Sequence, residues 1–324
     1  MKRILFSFAL SSTLLAVSAQ SNQQPGKRQA APPGAGTSPG ESRVTITVEG
    51  EFRVIKANGL PDHLPGQFPN RGNPNSIEPQ SYTFRVPAKP KEAGKFTPLV
   101  RQPFGVAVNG VVFDPGAAEW WNDDPRSGWT SDPISGPLKL GLDQNNAHVQ
   151  PSGAYHYHGL PAGLIAKLTG GKERMILVGW AADGFPIYSP WAYNDAKSTN
   201  SPLKKMKSSW QLKKGTRPSG PGGKYDGNFV EDFEFVKSSG DLDEANGRIG
   251  LTPEFPQGSY HYFVTEGFPF IPRQHKGTPD QSFMRHGPPG GPGGPRGPRR
   301  GGPGGPYGPP PDGKRPPPPG AEPK

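Results

Sequence analysis

Residues 151–157 read PSGAYHY and residues 256–262 read PQGSYHY, so one pattern, P-x-G-x-Y-H-Y, occurs twice in the chain. In each copy Pro and Gly lie where a type I turn favours them, and the aromatic residues that follow are typical of a strand. A second echo accompanies the first, since residues 183–187 read DGFPI and residues 266–270 read EGFPF. The repeat therefore predicts two turn-and-strand units of one design.

Short runs on either side of these units predict further strands. The candidates are residues 44–48 with 52–54, 82–86, 106–113, 154–158, 175–180, 228–236 and 259–265. Asn109-Gly110 between two apolar triplets indicates a hairpin, and residues 161–168 indicate one short helix that ends at Gly170-Gly171. We expect a mainly β fold, in which antiparallel sheets form one sandwich-like domain with long loops and few short helices.

The ends of the chain differ from this domain in composition. Residues 1–19 carry a positive start, an apolar stretch and small residues before Gln20, as in a secretory signal peptide, and the stretch is too short for a membrane span. Residues 20–42 are a Pro/Gly/Ser-rich linker, and residues 284–324 are a Pro/Gly/Arg-rich tail. Both are expected to be disordered. The predicted domain covers residues 43–283, and the predicted location is secreted, periplasmic or extracellular.

The charge of the chain, +10 in all, is concentrated in the tail. Seven Lys and Arg residues against two acidic residues give residues 284–324 a net charge of +5. On an exported protein such a tail is suited to an anionic surface polymer, and no nucleic-acid partner is expected. The chain contains no Cys, so any metal ion must be bound by His, carboxylate, carbonyl or water ligands.

The imidazoles of the first unit are candidate metal ligands. Because side chains alternate along a strand, His156 and His158 point to one face, and Tyr155 and Tyr157 point to the other. His148 lies eight residues before His156, across a turn, and can fold back as a third ligand. Neutral imidazoles suit zinc or copper, and three of them leave a position open for water. We therefore expect a transition-metal site here.

His261, in the second unit, is a further candidate ligand. If the two repeated strands are neighbours in a sheet, His156 and His261 point to a common region, and His261 completes or extends the ligand set. Asp183, in a Gly-Phe-Pro turn, is the best candidate for a partly buried carboxylate near the site, and the two Tyr side chains of the first unit are candidates for its outer shell. The sequence indicates no catalytic residue.

Two other interpretations of the His and Tyr residues stay open. The cluster can be purely structural, with imidazoles and hydroxyls bonded to each other and to the backbone. Alternatively, His156 or His158 can act as an acid or base without metal. An acidic loop at residues 241–247 suggests calcium, but the frame fails the EF-hand spacing because Gly247 falls one position late and Thr252 occupies the last position.

These residues make the chain resemble the YHYH protein family, named for the motif Tyr155-His156-Tyr157-His158. Long blocks are similar to that family in the same order, among them GLDQNNAHVQPSGAYHYHGLP, ILVGWAADGFPIY, KYDGNFVEDFEF and GDLDEANGRIGLTPEFPQGSYHYF. They span most of residues 105–283. The resemblance implies an exported protein and no established reaction.

The favoured function is therefore a secreted protein whose His-rich site serves metal capture or metal-assisted hydrolysis or oxidation. The alternative is a non-enzymatic extracellular module that binds a polyanion, a polysaccharide or a protein partner. In that case the basic tail and the aromatic residues Trp120, Trp121 and Trp129 are expected to make the contacts, and the His and Tyr cluster is structural.

Overall fold

Short strands make up most of the regular structure in the computed structural model, which describes residues 36–38, 40–100 and 102–284. The strands are β1 (Val44–Glu49), β2 (Phe52–Ala57), β3 (Tyr82–Pro87), β4 (Glu92–Pro98), β5 (Gly105–Ala107), β6 (Val112–Phe113), β7 (Ala147–Val149), β8 (Tyr155–Tyr157), β9 (Leu177–Ala181), β10 (Pro186–Tyr188), β11 (Trp191–Tyr193), β12 (Leu203–Lys205), β13 (Trp210–Leu212), β14 (Phe233–Phe235), β15 (Gly247–Gly250), β16 (Ser259–Phe263) and β17 (Gln274–Gly277). The helices are α1 (Ala162–Thr169) and three 3-10 turns, Trp121–Asp123, Val230–Asp232 and Gln281–Phe283.

The predicted fold class is confirmed, because the chain is mostly β with one α-helix, and most strand pairs are antiparallel. The predicted helix is present as α1 and ends at Gly170, which adopts a left-handed conformation with φ 62°. The predicted strand at residues 228–236 is wrong in its first half, where a 3-10 turn precedes β14. The reason is local: the buried carboxylate of Asp232 accepts hydrogen bonds from the amides of Gly227 and Phe229 and bends the backbone.

Two layers build the core. A three-stranded sheet in the order β1-β2-β3 packs on an eight-stranded sheet. Ile55, Phe84 and Val86 of the smaller sheet form one buried cluster with Val106 and Trp180 of the larger one. The opposite face of the large sheet is buried under α1 and loops, in a cluster that contains all four Tyr residues of the repeated motifs. This arrangement matches the predicted sandwich-like packing.

The strand order of the large sheet is β15-β16-β10-β9-β5-β6-β8-β7. The same series of parallel and antiparallel pairings leads from each edge to the centre. β5 and β9 pair antiparallel at the centre, with Val106 opposite Trp180. Each then joins a hairpin partner, β6 or β10, which pairs parallel with β8 or β16. An antiparallel edge strand, β7 or β15, completes each side. The sheet therefore consists of a first half (β5-β6-β8-β7) and a second half (β9-β10-β16-β15).

The turns of the two halves match in detail. Asn109-Gly110 connects β5 to β6 and Asp183-Gly184 connects β9 to β10, and both glycines have positive φ, 83° and 90°. In the first turn the amide of Gly110 donates to the carbonyl of Ala107 at 2.8 Å. The amide of Gly184 makes the same bond to Ala181 at 2.9 Å. Only a residue without Cβ adopts this conformation readily, so the turn chemistry fixes both hairpins in one geometry.

Most of the terminal segments lie outside the described residues. These are the predicted signal peptide, all of the linker before residue 36, and the tail after Met284. The boundaries of the predicted domain thus stay a prediction. Within the described part of the chain, α1 is far shorter than a membrane-spanning helix, and no helix there is long and apolar enough to cross a bilayer.

Candidate metal centre

Three imidazoles meet at the β7–β8 edge of the large sheet. His148 on β7 lies directly opposite His156 on β8, and His158 follows one alternation later on the same face. Their ring centroids are 4.6–4.7 Å apart. One nitrogen from each ring lies within 4.8 Å of the nitrogens of the other two, a group that could hold a metal ion. The fold-back of His148 expected from the sequence is confirmed.

Hydrogen bonds to the backbone orient two of these rings. The Nδ1 of His148 lies 2.8 Å from the carbonyl oxygen of Leu140, and the Nδ1 of His156 lies 3.1 Å from that of Ala154. A carbonyl oxygen can only accept, so each Nδ1 carries the hydrogen and each Nε2 presents its lone pair. This is the usual arrangement behind a metal-binding imidazole, where a second partner fixes tautomer and ring orientation.

The third ring closes the triangle through a contact between imidazoles. The Nε2 of His158 lies 3.0 Å from the Nε2 of His148. Because the latter nitrogen is an acceptor, the Nε2 of His158 donates in the metal-free state. Two ligand nitrogens on a tetrahedral zinc ion are about 3.4 Å apart at Zn–N distances near 2.05 Å. An ion bound by both Nε2 atoms therefore needs only a small expansion of this pair and a shift of the His158 proton from Nε2 to Nδ1.

Burial of the triad is graded. His156 and His158 are 2% and 4% exposed, whereas His148, on the edge strand, is half-buried. Solvent therefore reaches the group from the side of β7. An imidazole binds a metal ion only in its neutral form, through the lone pair of one ring nitrogen.

The side chain of Asp143 fixes the start of β7 and joins it to the distant Gly66. The carboxylate of Asp143 accepts hydrogen bonds from the amides of Gly66, Asn145 and Ala147 and from the hydroxyl of Tyr155 at 2.6 Å. Asn146, with φ 51°, then directs its carbonyl oxygen to the amide of His158 at 2.7 Å. Sequence reasoning missed both residues as supports of the site, although Leu-Asp-x-x-Asn occurs at residues 142–146 and again at 242–246.

The hydroxyls of the YHYH tetrapeptide lie on the other side of the sheet, as alternation predicts. Tyr157 accepts from the side chain of Asn109 at 3.0 Å and contacts the Nε2 of His63 at 2.6 Å. Burial raises the pKa of the Tyr155 and Tyr157 hydroxyls well above the usual value. These groups hold the strand in place and do not face the imidazoles, so the structure gives no outer-shell contact from them to the triad.

His261 is not brought to this site. It lies on β16, separated from β8 by four intervening strands, so the hypothesis that the two repeated strands are neighbours is wrong. Its ring stacks edge-on against Tyr188 and Phe263, and its Nδ1 lies 3.0 Å from the carbonyl oxygen of Ser259. His261 thus repeats the backbone bond of His156 without the two other imidazoles. The physical reason is that the second unit builds the second half of the sheet.

The two acidic features of the sequence also belong to the second half. Asp183 is 1% exposed and accepts from the Tyr262 hydroxyl at 2.5 Å and from the amide of Gly277 at 2.8 Å. It is a buried carboxylate, as predicted, but it binds the scaffold and not the triad. In the acidic loop, Asp243 accepts from the amides of Ala245 and Gly247. That loop is the structural counterpart of the turn at Asp143.

Comparison with known proteins gives one match. The model of a family described as YHYH protein matches residues 83–277, more than half of the chain. The matched region contains strands β4 to β17 and residues 83–87 of β3. It includes all three clustered imidazoles. No curated protein and no solved structure matches.

Proposed function

The chain belongs to the YHYH protein family, and we propose that its domain binds one transition-metal ion through the Nε2 atoms of His148, His156 and His158. The observation that carries the proposal is the approach of three ligand nitrogens to within 4.8 Å of one another. A set of three imidazoles without thiolate suits zinc or copper. Three protein ligands also leave a coordination position for water, the arrangement of a catalytic site.

The surroundings of the triad support this proposal over a purely structural cluster. A structural cluster needs only that each imidazole finds some partner. Here two rings turn their Nδ1 atoms to backbone carbonyls, which leaves a lone pair on each Nε2, and the Nε2 of His148 faces the Nε2 of His158. In the metal-free state the proton on the Nε2 of His158 lies between two of these nitrogens, and a cation can take its place. The half-exposed His148 provides the path by which an ion enters.

The reaction at such an ion would follow from its open position. A bound divalent ion lowers the pKa of a coordinated water and polarises a bound carbonyl or phosphoryl oxygen, which serves hydrolysis. Copper in the same ligand set would serve oxidation, and a site without turnover would serve metal capture. The chain's own contribution is the oriented set of three imidazoles at the edge of the sheet.

Metal titration tests the proposal. The full chain, purified without a histidine tag, is titrated with Zn²⁺ and Cu²⁺ by calorimetry, and bound metal is counted by elemental analysis. We expect about one equivalent per chain in the wild type and none in His156→Ala. His63→Gln is the matched control, because it removes one imidazole on the opposite side of the sheet and should leave binding unchanged.

Two checks keep this experiment decisive. Near-UV circular dichroism establishes that His156→Ala is folded, and His148→Gln, which alters a half-buried side chain, repeats the test with less risk to the core. Wild-type protein that binds less than a tenth of an equivalent after reconstitution contradicts the proposal. Equal binding in wild type and both triad variants contradicts it as well.

Export and surface attachment are separate proposals that rest on the sequence. We propose that residues 1–19 direct secretion, which mass spectrometry checks as a mature N-terminus at Gln20. The tail, with a net charge of +5, is proposed to bind anionic polymers, and deletion of residues 285–324 should weaken that binding and its dependence on salt. Trp129 takes no part in this role, because it is 6% exposed and packs against Phe229.

A further inference from the structure

The two halves of the sheet provide an internal comparison that separates scaffold from site. On the face that carries the Tyr residues, equivalent positions keep the same chemistry. Tyr155 and Tyr260 both donate to an Asp, Asp143 or Asp243. On the opposite face only His156 and His261 are equivalent, and the neighbouring positions differ. Positions at which the halves differ are therefore candidates for the function of the first half.

Four polar residues on the imidazole face of the first half have different counterparts in the second half. Strand register and turn alignment pair the residues of the first half, His148, His158, Asp114 and Gln150, with Arg248, Phe263, Tyr188 and Gly250 of the second. Two of the first set are proposed ligands. The other two, Asp114 and Gln150, are also polar, and no sequence motif singled them out.

Asp114 lies beside the imidazoles by strand register. β6 and β8 pair parallel, with Val112 opposite His156 and Phe113 opposite Tyr157, so the next residue, Asp114, lies opposite His158. Its amide donates to the carbonyl of Tyr157 at 2.8 Å, which holds it against β8. In the second half the equivalent side chain, Tyr188, packs on His261 with ring centroids 5.4 Å apart. A side chain at this position thus faces the His of the neighbouring strand.

Gln150 contacts the Asp114 carboxylate from the other side of β8. Gln150 lies two residues after His148 and shares its face of β7, and its Nε2 lies 3.4 Å from the Oδ2 of Asp114. The second oxygen, Oδ1, accepts from the amide of Gly116 at 3.3 Å. Because β8 lies between β7 and β6, the contact between Gln150 and Asp114 spans the strand that carries two of the three imidazoles.

Charge gives this carboxylate a role. Three neutral imidazoles leave the whole +2 of a divalent ion uncompensated, and a buried, uncompensated charge is costly. Asp114 is 6% exposed. It lies outside the group whose ligand atoms are within 4.8 Å of one another, so it is not placed as a direct ligand. Arg273 lies within electrostatic range of Asp114, and its single charge is shared with Asp132, to which it is bonded at 2.8 Å, and with Glu231.

We propose that Asp114, oriented by Gln150, is the outer carboxylate of the His148/His156/His158 centre: it offsets the charge of the bound ion and accepts a hydrogen bond from water on the ion's open position. This inference rests on the proposed function. It restricts the cargo to a cation, since an anion or a neutral ligand gains nothing from a buried carboxylate. It also makes Asp114 a positioning residue and not a ligand.

The test measures Zn²⁺ affinity in the full, untagged chain with a competing chromophoric chelator. Asp114→Asn keeps the shape and removes the charge, and we expect its affinity to fall about 10- to 100-fold, the usual effect of losing an outer-shell partner. Asp114→Glu should recover part of the loss. Asp62→Asn is the matched control, because Asp62 accepts from Asn109 on the opposite face of the sheet.

The outcomes separate the two proposals. If the wild type binds Zn²⁺ and Asp114→Asn binds it with equal affinity, the role of Asp114 is overturned, whereas the proposed metal site is not. No binding to the wild type overturns both. If Asp114→Asn melts at a lower temperature without metal, Gln150→Ala, which truncates a half-buried side chain, replaces it, and unchanged affinity there overturns the proposal. A lower Zn²⁺ affinity in the variant, with an unchanged melting temperature of the metal-free protein, supports the proposal.

Discussion

The two halves of the eight-stranded sheet share a backbone and differ in what one face carries. In the first half three imidazoles converge, whereas in the second His261 faces Arg248 and Phe263. The guanidinium of Arg248 lies over the Phe263 ring at 5.7 Å and donates to the carbonyl of Tyr193 at 2.6 Å. The second half therefore has the Arg248 guanidinium as its own cation, at the place where the first half is proposed to bind a metal ion.

This difference teaches that the repeated motif is first of all a scaffold. The Pro-Gly turn, the two Tyr residues and the Asp that each first Tyr contacts occur in both halves and build the same strand pair. The central His occurs in both as well, with its Nδ1 bonded to the carbonyl two residues earlier. The proposed metal site lies where the flanking positions add two further imidazoles.

The largest effect is expected from converting the first half into the second. The double variant His148→Arg/His158→Phe places the second-half residues around His156, and the introduced guanidinium repels a metal cation. We expect Zn²⁺ affinity to fall by more than about 100-fold, beyond the loss of an outer-shell partner. The reverse variant, Arg248→His/Phe263→His, should add a second equivalent of bound metal. Calorimetric stoichiometry measures both, and unchanged stoichiometry in both would break the comparison.

Removal of the shared Asp tests whether the scaffold is equivalent in both halves. Asp143→Ala and Asp243→Ala each leave two or more amides and one Tyr hydroxyl without an acceptor. At about 1–3 kcal/mol for each buried orphan group, we expect the free energy of unfolding to fall by at least about 3 kcal/mol in each variant. Only Asp143→Ala should also weaken metal binding. Urea unfolding gives the first quantity, and a stable Asp243→Ala protein would contradict the equivalence.

The pH dependence of stability tests the second half of the sheet through His261. Burial lowers the pKa of His261 to about 4, the bond to Ser259 opposes this shift, and Arg248 adds to it. The unfolded chain titrates near 6.5, so it takes up the proton first as the pH falls. The stability that His261 contributes is therefore present above pH 6.5 and is lost between pH 6.5 and 4, by up to about 3 kcal/mol.

The measurement compares urea unfolding of metal-free wild type and His261→Gln at pH 7, 5.5 and 4. The wild type should lose more stability over this range than the variant. His63 and His275, whose pKa values burial also lowers, are present in both proteins and cancel. Parallel loss in the two proteins would show that His261 does not titrate in this range.

The smallest effects are expected on the Tyr face. Tyr157→Phe and Tyr262→Phe each remove one buried hydroxyl that is bonded to the turn of the neighbouring hairpin, Asn109 or Asp183. We expect a loss of about 1–2 kcal/mol in each case. Zn²⁺ affinity should stay unchanged in both, because these hydroxyls lie on the side of the sheet away from the imidazoles. A large loss of affinity in Tyr157→Phe would place this Tyr in the site.

Much of the site could be predicted because its geometry is local. His156 and His158 share a face by alternation alone, and His148 reaches them across one turn. The error at residues 228–236 is also local, because the side chain of Asp232 accepts from amides three and five residues earlier, and a strand pattern does not register such side-chain-to-backbone bonds. His261 was misplaced because nothing in the motif itself tells whether two copies lie side by side or at opposite sides of one sheet.

The sequence by itself determined the β class, the Asn-Gly hairpin, the single helix and the pairing of alternate residues on each strand, because these depend on backbone preferences within a few residues. The tertiary structure alone decided that β6 lies next to β8 and β10 next to β16, and so which half contains His261 and which residues accompany the triad. Contacts such as the one between Asp114 and the β8 strand join residues more than forty positions apart. Their register is set by packing of the whole sheet, which no local pattern encodes.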